Sequence, residues 1–131
     1  MILVDSRVWI DVLSGINTPQ VAFLRENLGQ TPMVIGDLVL TEVLQGVPTE
    51  SLARRTEKYL LDFPVVELGG ERNAIQAAHH FRHLRAKGYT IRKTVDLLIA
   101  TWCIANDMLL LHNDRDFVPF EKHLGLRTVR G

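Results

Sequence analysis

Short aliphatic runs separated by helical patterns constrain this chain more than any other feature. Residues 2–4, 33–35, 64–66 and 108–111 are nearly all apolar, and turn-forming Asp, Asn, Gly or Pro stand in or beside each. Runs this brief read as strands, and strands apolar at successive positions are buried on both faces. A fifth, weaker run is 127–129. Helical patterns fill the intervals: 6–13, a helix opened by Thr18 and Pro19, 37–45, 49–61, 70–87 and 94–105. Asn113 or Asp114 caps a last helix that reaches His123, and Gly46, Gly88 and Gly125 mark helix ends. The 94–105 segment is apolar nearly all round, which predicts burial between layers. Strands alternating with helices predict an α/β fold: one domain over residues 1–131, with a mostly parallel sheet of four to five strands and helices on both faces. Such folds bind ligands beyond the carboxyl ends of the strands, where strand order reverses.

Charge and composition narrow the function. Lys plus Arg equals Asp plus Glu at 15 each, so the chain lacks the excess cation that drives non-specific polyanion binding. Nothing approaches a membrane span, and "MILV" meets Asp5 with no basic lead-in, unlike a signal peptide. The single cysteine, Cys103, sits in the apolar run "ATWCIA" and reads as core; the expectation is a reduced, cytoplasmic protein. "HHFRH" sets His79 and His83 at the spacing of a zinc pair, but no Glu lies between them and a solvated helix face is expected. Trp9, Trp102, Phe117 and Phe120 read as core aromatics, and there is no glycine-rich phosphate loop.

The acids are more informative. Asp5 ends the first strand; Glu42 lies mid-helix among Leu and Val in "LVLTEVLQG"; Asp96 is the only charge in "TVDLLIATWCIA"; Asp114 and Asp116 leave the late strand. Asp5, Asp96 and Asp114 each have a bland alternative as a helix cap or a dipole partner. Glu42 has none. The fold should bring these acids to one edge of the sheet, where two carboxylates about 4 Å apart repel by roughly 4 kcal/mol at an effective dielectric near 20. A cap recovers only about 1 kcal/mol. A divalent cation removes the conflict, and all-oxygen ligands select Mg²⁺ or Mn²⁺. Such an ion suits displacement at a phosphodiester. Arg7, Arg92, Lys93 and Arg115 form a basic fringe able to contact phosphate, with local charge compensation as the alternative.

"MILVDSRVWID", "LTEVLQG", "RKTVDLLIATWC" and "LLLHNDRDF" resemble, in this order, the blocks of PIN-domain ribonucleases, above all the VapC toxins of type II toxin–antitoxin systems. The resemblance covers essentially the whole chain. It implies Mg²⁺- or Mn²⁺-dependent endonucleolytic cleavage of RNA, such as transfer RNA or a ribosomal RNA loop. It also implies inhibition by a cognate VapB-type antitoxin, and a homodimer. Asp5, Glu42, Asp96 and Asp114 fall on the four acidic positions, Asp116 on a further acid beside the metal, and Ser6 on the hydroxyl next to the first aspartate. Arg7 departs from the pattern, since a small residue is usual there. The expectation is that Asp5, Asp96 and Asp114 hold the first ion, with Glu42 and Asp116 acting directly or through water, while Ser6, Arg7, Arg92, Lys93 and Arg115 meet the substrate. Receiver and haloacid-dehalogenase phosphotransfer domains also place Asp after the first strand. The first needs a Lys where His112 and Asn113 stand, and the second a further Asp where Arg7 stands. A PIN-like module that binds without cutting is the non-enzymatic alternative.

Overall fold

The structure is a computed structural model and describes residues 1–129. Strands β1 (Ile2–Val4), β2 (Met33–Gly36), β3 (Val65–Val66) and β4 (Leu109–Leu111) form one sheet in the order β3-β2-β1-β4. Every pairing is parallel, with Ile2 opposite both Met33 and Leu109. The helices are α1 (Ser6–Leu13), α2 (Pro19–Asn27), α3 (Asp37–Gln45), α4 (Glu50–Leu60), α5 (Glu71–Ala86), α6 (Thr94–Ala105) and α7 (Val118–Leu124). A single 3₁₀ turn, Arg115–Phe117, precedes α7.

Going from β1 to β2 to β3, the chain steps across the sheet in one direction; it then returns past β1 to β4. With right-handed crossovers that reversal places α1 to α4 on one face and α5 and α6 on the other. β1 and β2 are therefore covered twice, and every residue in them is buried. On the first face Trp9 of α1 packs against Tyr59 and Phe63, with ring centroids 6.3 and 5.0 Å away.

Local chemistry sets the element ends. Thr18 Oγ1 accepts from the Val21 N–H at 3.0 Å, with Pro19 at the first helical position of α2. Thr49 does the same for α4 through the Leu52 N–H at 3.2 Å. Asp37 Oδ1 accepts from the N–H groups of Leu38 and Leu68 at 2.8 and 2.9 Å, fastening the start of α3 to the segment after β3. Gly125, at φ +74°, makes the left-handed turn after α7.

Three expectations change. The run 127–129 does not form a full strand: it adds one parallel bridge, Leu110 with Thr128, held by bonds from Leu110 N–H to Arg127 and from Val129 N–H to Leu110. Helix α6 is buried on one face, from Asp96 to Cys103, but Thr94 and Ala105 at its ends are exposed and Trp102 is only half-buried, so it is not enclosed all round. In "HHFRH", His79 and His83 do face solvent; His80 turns inward, 3.0 Å from Thr101 Oγ1 of α6 and 3.1 Å from Gln76.

Gly36 carries the tightest backbone approach. A Cβ there would lie 2.9 Å from Cγ of Leu68, itself fully buried. Gly36→Ala is expected to destabilise the protein by about 1–3 kcal/mol. Urea unfolding checks this, and Gly36→Ala combined with Leu68→Ala should cost less than the sum of the two single changes.

Candidate metal centre

The reversal of strand order beside β1 opens a crevice at the carboxyl ends of β1 and β4. Asp5 is the first residue beyond β1, and its N–H donates to the Leu111 carbonyl at 3.0 Å. Its backbone starts α1, yet its side chain makes no capping bond. Asp96, in the first turn of α6, likewise caps nothing. A dipole role remains for Asp96 in its first-turn position, but the capping alternative fails for both carboxylates. It holds in part for Asp114, whose Oδ1 accepts from the Asp116 N–H at 2.9 Å and orders the 3₁₀ turn.

A cavity of about 350 Å³ gathers Asp5, Glu42, Asp96 and Asp114 in one place, with Ser6 and Lys93 on its wall. Carboxylate oxygens of Asp96, Asp114 and Asp116 lie within 4.8 Å of one another, although Asp116 does not line that cavity. Ser6 donates its hydroxyl to Glu42 Oε1 at 3.0 Å, so α1 orients a carboxylate on α3. Asp5 and Asp96 are 3% and 6% exposed, and one oxygen of each, Asp5 Oδ1 and Asp96 Oδ2, is buried without a hydrogen-bond partner.

Burial dominates the electrostatics. Loss of water pushes the Asp5 carboxyl up to about 7, with the charges of Asp96, Glu42 and Asp114 adding to it and the Ser6 backbone opposing. Asp96 rises to about 6, again chiefly by burial; Lys93 opposes, and Asp114, Glu42 and Asp116 reinforce. Two desolvated carboxylates with unmet oxygens and acidic neighbours are what a small hard cation satisfies, and the donor set is all oxygen. His112 is no rival ligand. Its Nδ1 accepts from the Asp114 N–H at 3.1 Å and its Nε2 faces Glu121 at 3.3 Å, with the ring 4.7 Å from Phe117.

The basic residues divide. Lys93 and Arg7 line the cavity. Arg92 instead sits on Asp116 at 3.3 Å, and Arg115 is exposed on the 3₁₀ turn, away from the cavity wall. Asp11 also lines the cavity, as do Thr18 and Asn113, which the sequence marks only as helix-cap residues. Asp11 is legible in hindsight, as the one acid inside "VWIDVL". A larger groove of about 870 Å³ between α5 and α6, around Trp102 and His79, contains none of the clustered acids. Size does not identify the site here; desolvated carboxylates do.

Because Asp5 and Asp96 titrate above their ordinary 3.8 when folded, the folded chain binds more protons than the unfolded one between about pH 4 and 7. Their contribution to metal-free stability is therefore full at low pH and lost as pH rises through that window. Thermal melts in EDTA should show this loss. Mn²⁺ at 100 times its Kd should add about 2.7 kcal/mol near neutral pH.

A family model described as "PIN domain" matches residues 2–122. VapC ribonuclease Mb1587 of Mycobacterium bovis is 24% identical over 119 residues, covering 89% of each chain. Among solved structures, VapBC2 from Rickettsia felis bound to a promoter DNA fragment superposes with a TM-score of 0.75 at 18% identity, over 98% of both chains. A toxin–antitoxin complex from Klebsiella pneumoniae gives 0.73 at 17% identity, over 99% of this chain and 97% of the other. The parallel sheet and its flanking helices are those of a PIN domain, and the chain belongs to that family.

Proposed function

We propose that this PIN-domain protein is a Mg²⁺- or Mn²⁺-dependent endoribonuclease, the toxin of a VapBC-type toxin–antitoxin pair. The observation that carries the reading is the pair of buried, unpartnered oxygens on Asp5 and Asp96, two residues that line one cavity with Asp114 and Glu42. A module that only bound RNA would gain nothing from desolvating carboxylates against a polyanion.

Asp5, Asp96 and Asp114 would hold the ion, with Asp116, whose carboxylate lies within 4.8 Å of those of Asp96 and Asp114, as a further ligand directly or through water. When bound, the ion neutralises charge on the scissile phosphate and lowers the pKa of the attacking water. Glu42, which accepts the Ser6 hydroxyl bond at 3.0 Å, would take the attacking water's proton. Lys93 and Arg7 on the cavity wall contact substrate phosphates. Cleavage leaves 5′-phosphate and 3′-hydroxyl ends. A crevice this narrow admits splayed, single-stranded backbone, so loops of transfer or ribosomal RNA are the substrate class. A VapB-type antitoxin covers the site in the resting complex, and the toxin works as a homodimer in the cytoplasm. Among the described residues no helix is long and apolar enough to cross a membrane.

Purified protein incubated with loop-containing RNA and Mn²⁺ should cut it, and EDTA should stop the reaction. Asp96→Asn should lower the cleavage rate by at least about 100-fold, while the metal-free variant melts no lower than the parent because it loses a repelled charge. Wild-type cleavage by Asp96→Asn would overturn the assignment.

A further inference from the structure

Asp11 is a buried carboxylate that the catalytic reading does not use. It is 3% exposed on α1, caps nothing, and its Oδ1 has no hydrogen-bond partner. Its one charged contact is Arg7, one turn earlier on the same helix, with Nε 3.4 Å from that Oδ1. The pair is asymmetric, the Arg7 side chain being 65% exposed and that of Asp11 only 4%. Both line the cavity that holds Asp5, Glu42, Asp96 and Asp114.

That placement creates a hazard. A guanidinium is always charged and forks onto carboxylates through paired donors. Arg7 stands two residues from Asp5, beside acids whose oxygens lack partners. An untethered arginine there would neutralise the cluster and compete with a divalent ion for the same oxygens. Arg92 already does this to Asp116 on the other flank, at 3.3 Å. Yet Arg7 pairs with none of the four cavity acids, and among the described residues its ion-pair partner is Asp11.

We propose that Asp11 is a positioning residue: it holds the Arg7 guanidinium on α1 and so keeps it off the carboxylates that take the ion. The proposal rests on the metal-site reading above. It also explains why an acid is kept on a helix whose neighbouring residues, Val8, Trp9, Ile10 and Val12, are apolar.

The test is Mn²⁺ binding by calorimetry to four proteins: the parent, Asp11→Asn, Arg7→Ser and the double variant. Asp11→Asn should weaken Mn²⁺ at least about fivefold, Arg7→Ser should not weaken it, and the double variant should return to within twofold of the parent. Rescue by removing Arg7 cannot come from a merely structural role for Asp11. Unchanged affinity in Asp11→Asn, or a double variant as weak as Asp11→Asn, overturns the proposal. A parent that binds no Mn²⁺ overturns the metal-site reading instead. If Asp11→Asn does not fold, NMR of the parent decides. The Arg7 Nε–H signal should stay protected from exchange with and without Mg²⁺, and rapid exchange in either state sinks the proposal.

Discussion

The parallel pairing of β1 with β4 is the constraint from which the site follows. Because β4 returns to the side of β1 opposite β2, two carboxyl ends meet where no crossover helix can cover both. Asp5 leaves one of these ends, and the loop bearing Asp114 leaves the other. The Asp5 N–H bond to Leu111 locks their relative height. α3 and α6 then bring Glu42 and Asp96 to the same opening from opposite faces of the sheet. Glu42 and Asp96 are rooted in helices, Asp5 directly follows β1, and Asp114 is fixed by its bond from the Asp116 N–H, which resists spreading of the cluster.

That rigidity carries a cost in the metal-free chain. Asp5 and Asp96 are desolvated and lie among like charges, which raises both carboxyl groups towards neutrality. The protein tolerates this because the core beneath is large and dry, from Trp9 on one face to Phe117 and Phe120 on the other. Asp114 shows a more economical arrangement, one oxygen ordering the 3₁₀ turn while the residue faces the cavity. On the proposed metal-site reading, cation binding and order in that turn are linked through a single side chain.

Much of this was readable from residue order. Apolar runs at successive positions marked the strands; β1 and β2 are covered on both sides as expected, whereas Val65 of the edge strand β3 is exposed because, among the described residues, no strand or helix encloses it. Acids at strand ends or alone on apolar helices pointed to the site. Long-range pairing was less legible. The sequence does not say that Arg92 would settle on Asp116, 24 positions away, or that His80 would turn towards Thr101 while His79 and His83 stay in water. The first depends on how the 3₁₀ turn lies against the start of α6, the second on how α5 lies against α6. Asp11 was less legible because an acid four residues after Arg7 on a short helix reads as half of a solvated ion pair, whereas the fold buries it on the cavity wall.

The sheet margins bear on assembly. β3 is two residues long at one edge, and the other edge meets only a single bridge from the chain's last described residues. Neither margin presents a flat row of open amides and carbonyls on which another strand could template itself. Any stable association, with a second copy or with a different protein, must therefore use the helical surfaces, where side-chain shape rather than backbone pairing selects the companion.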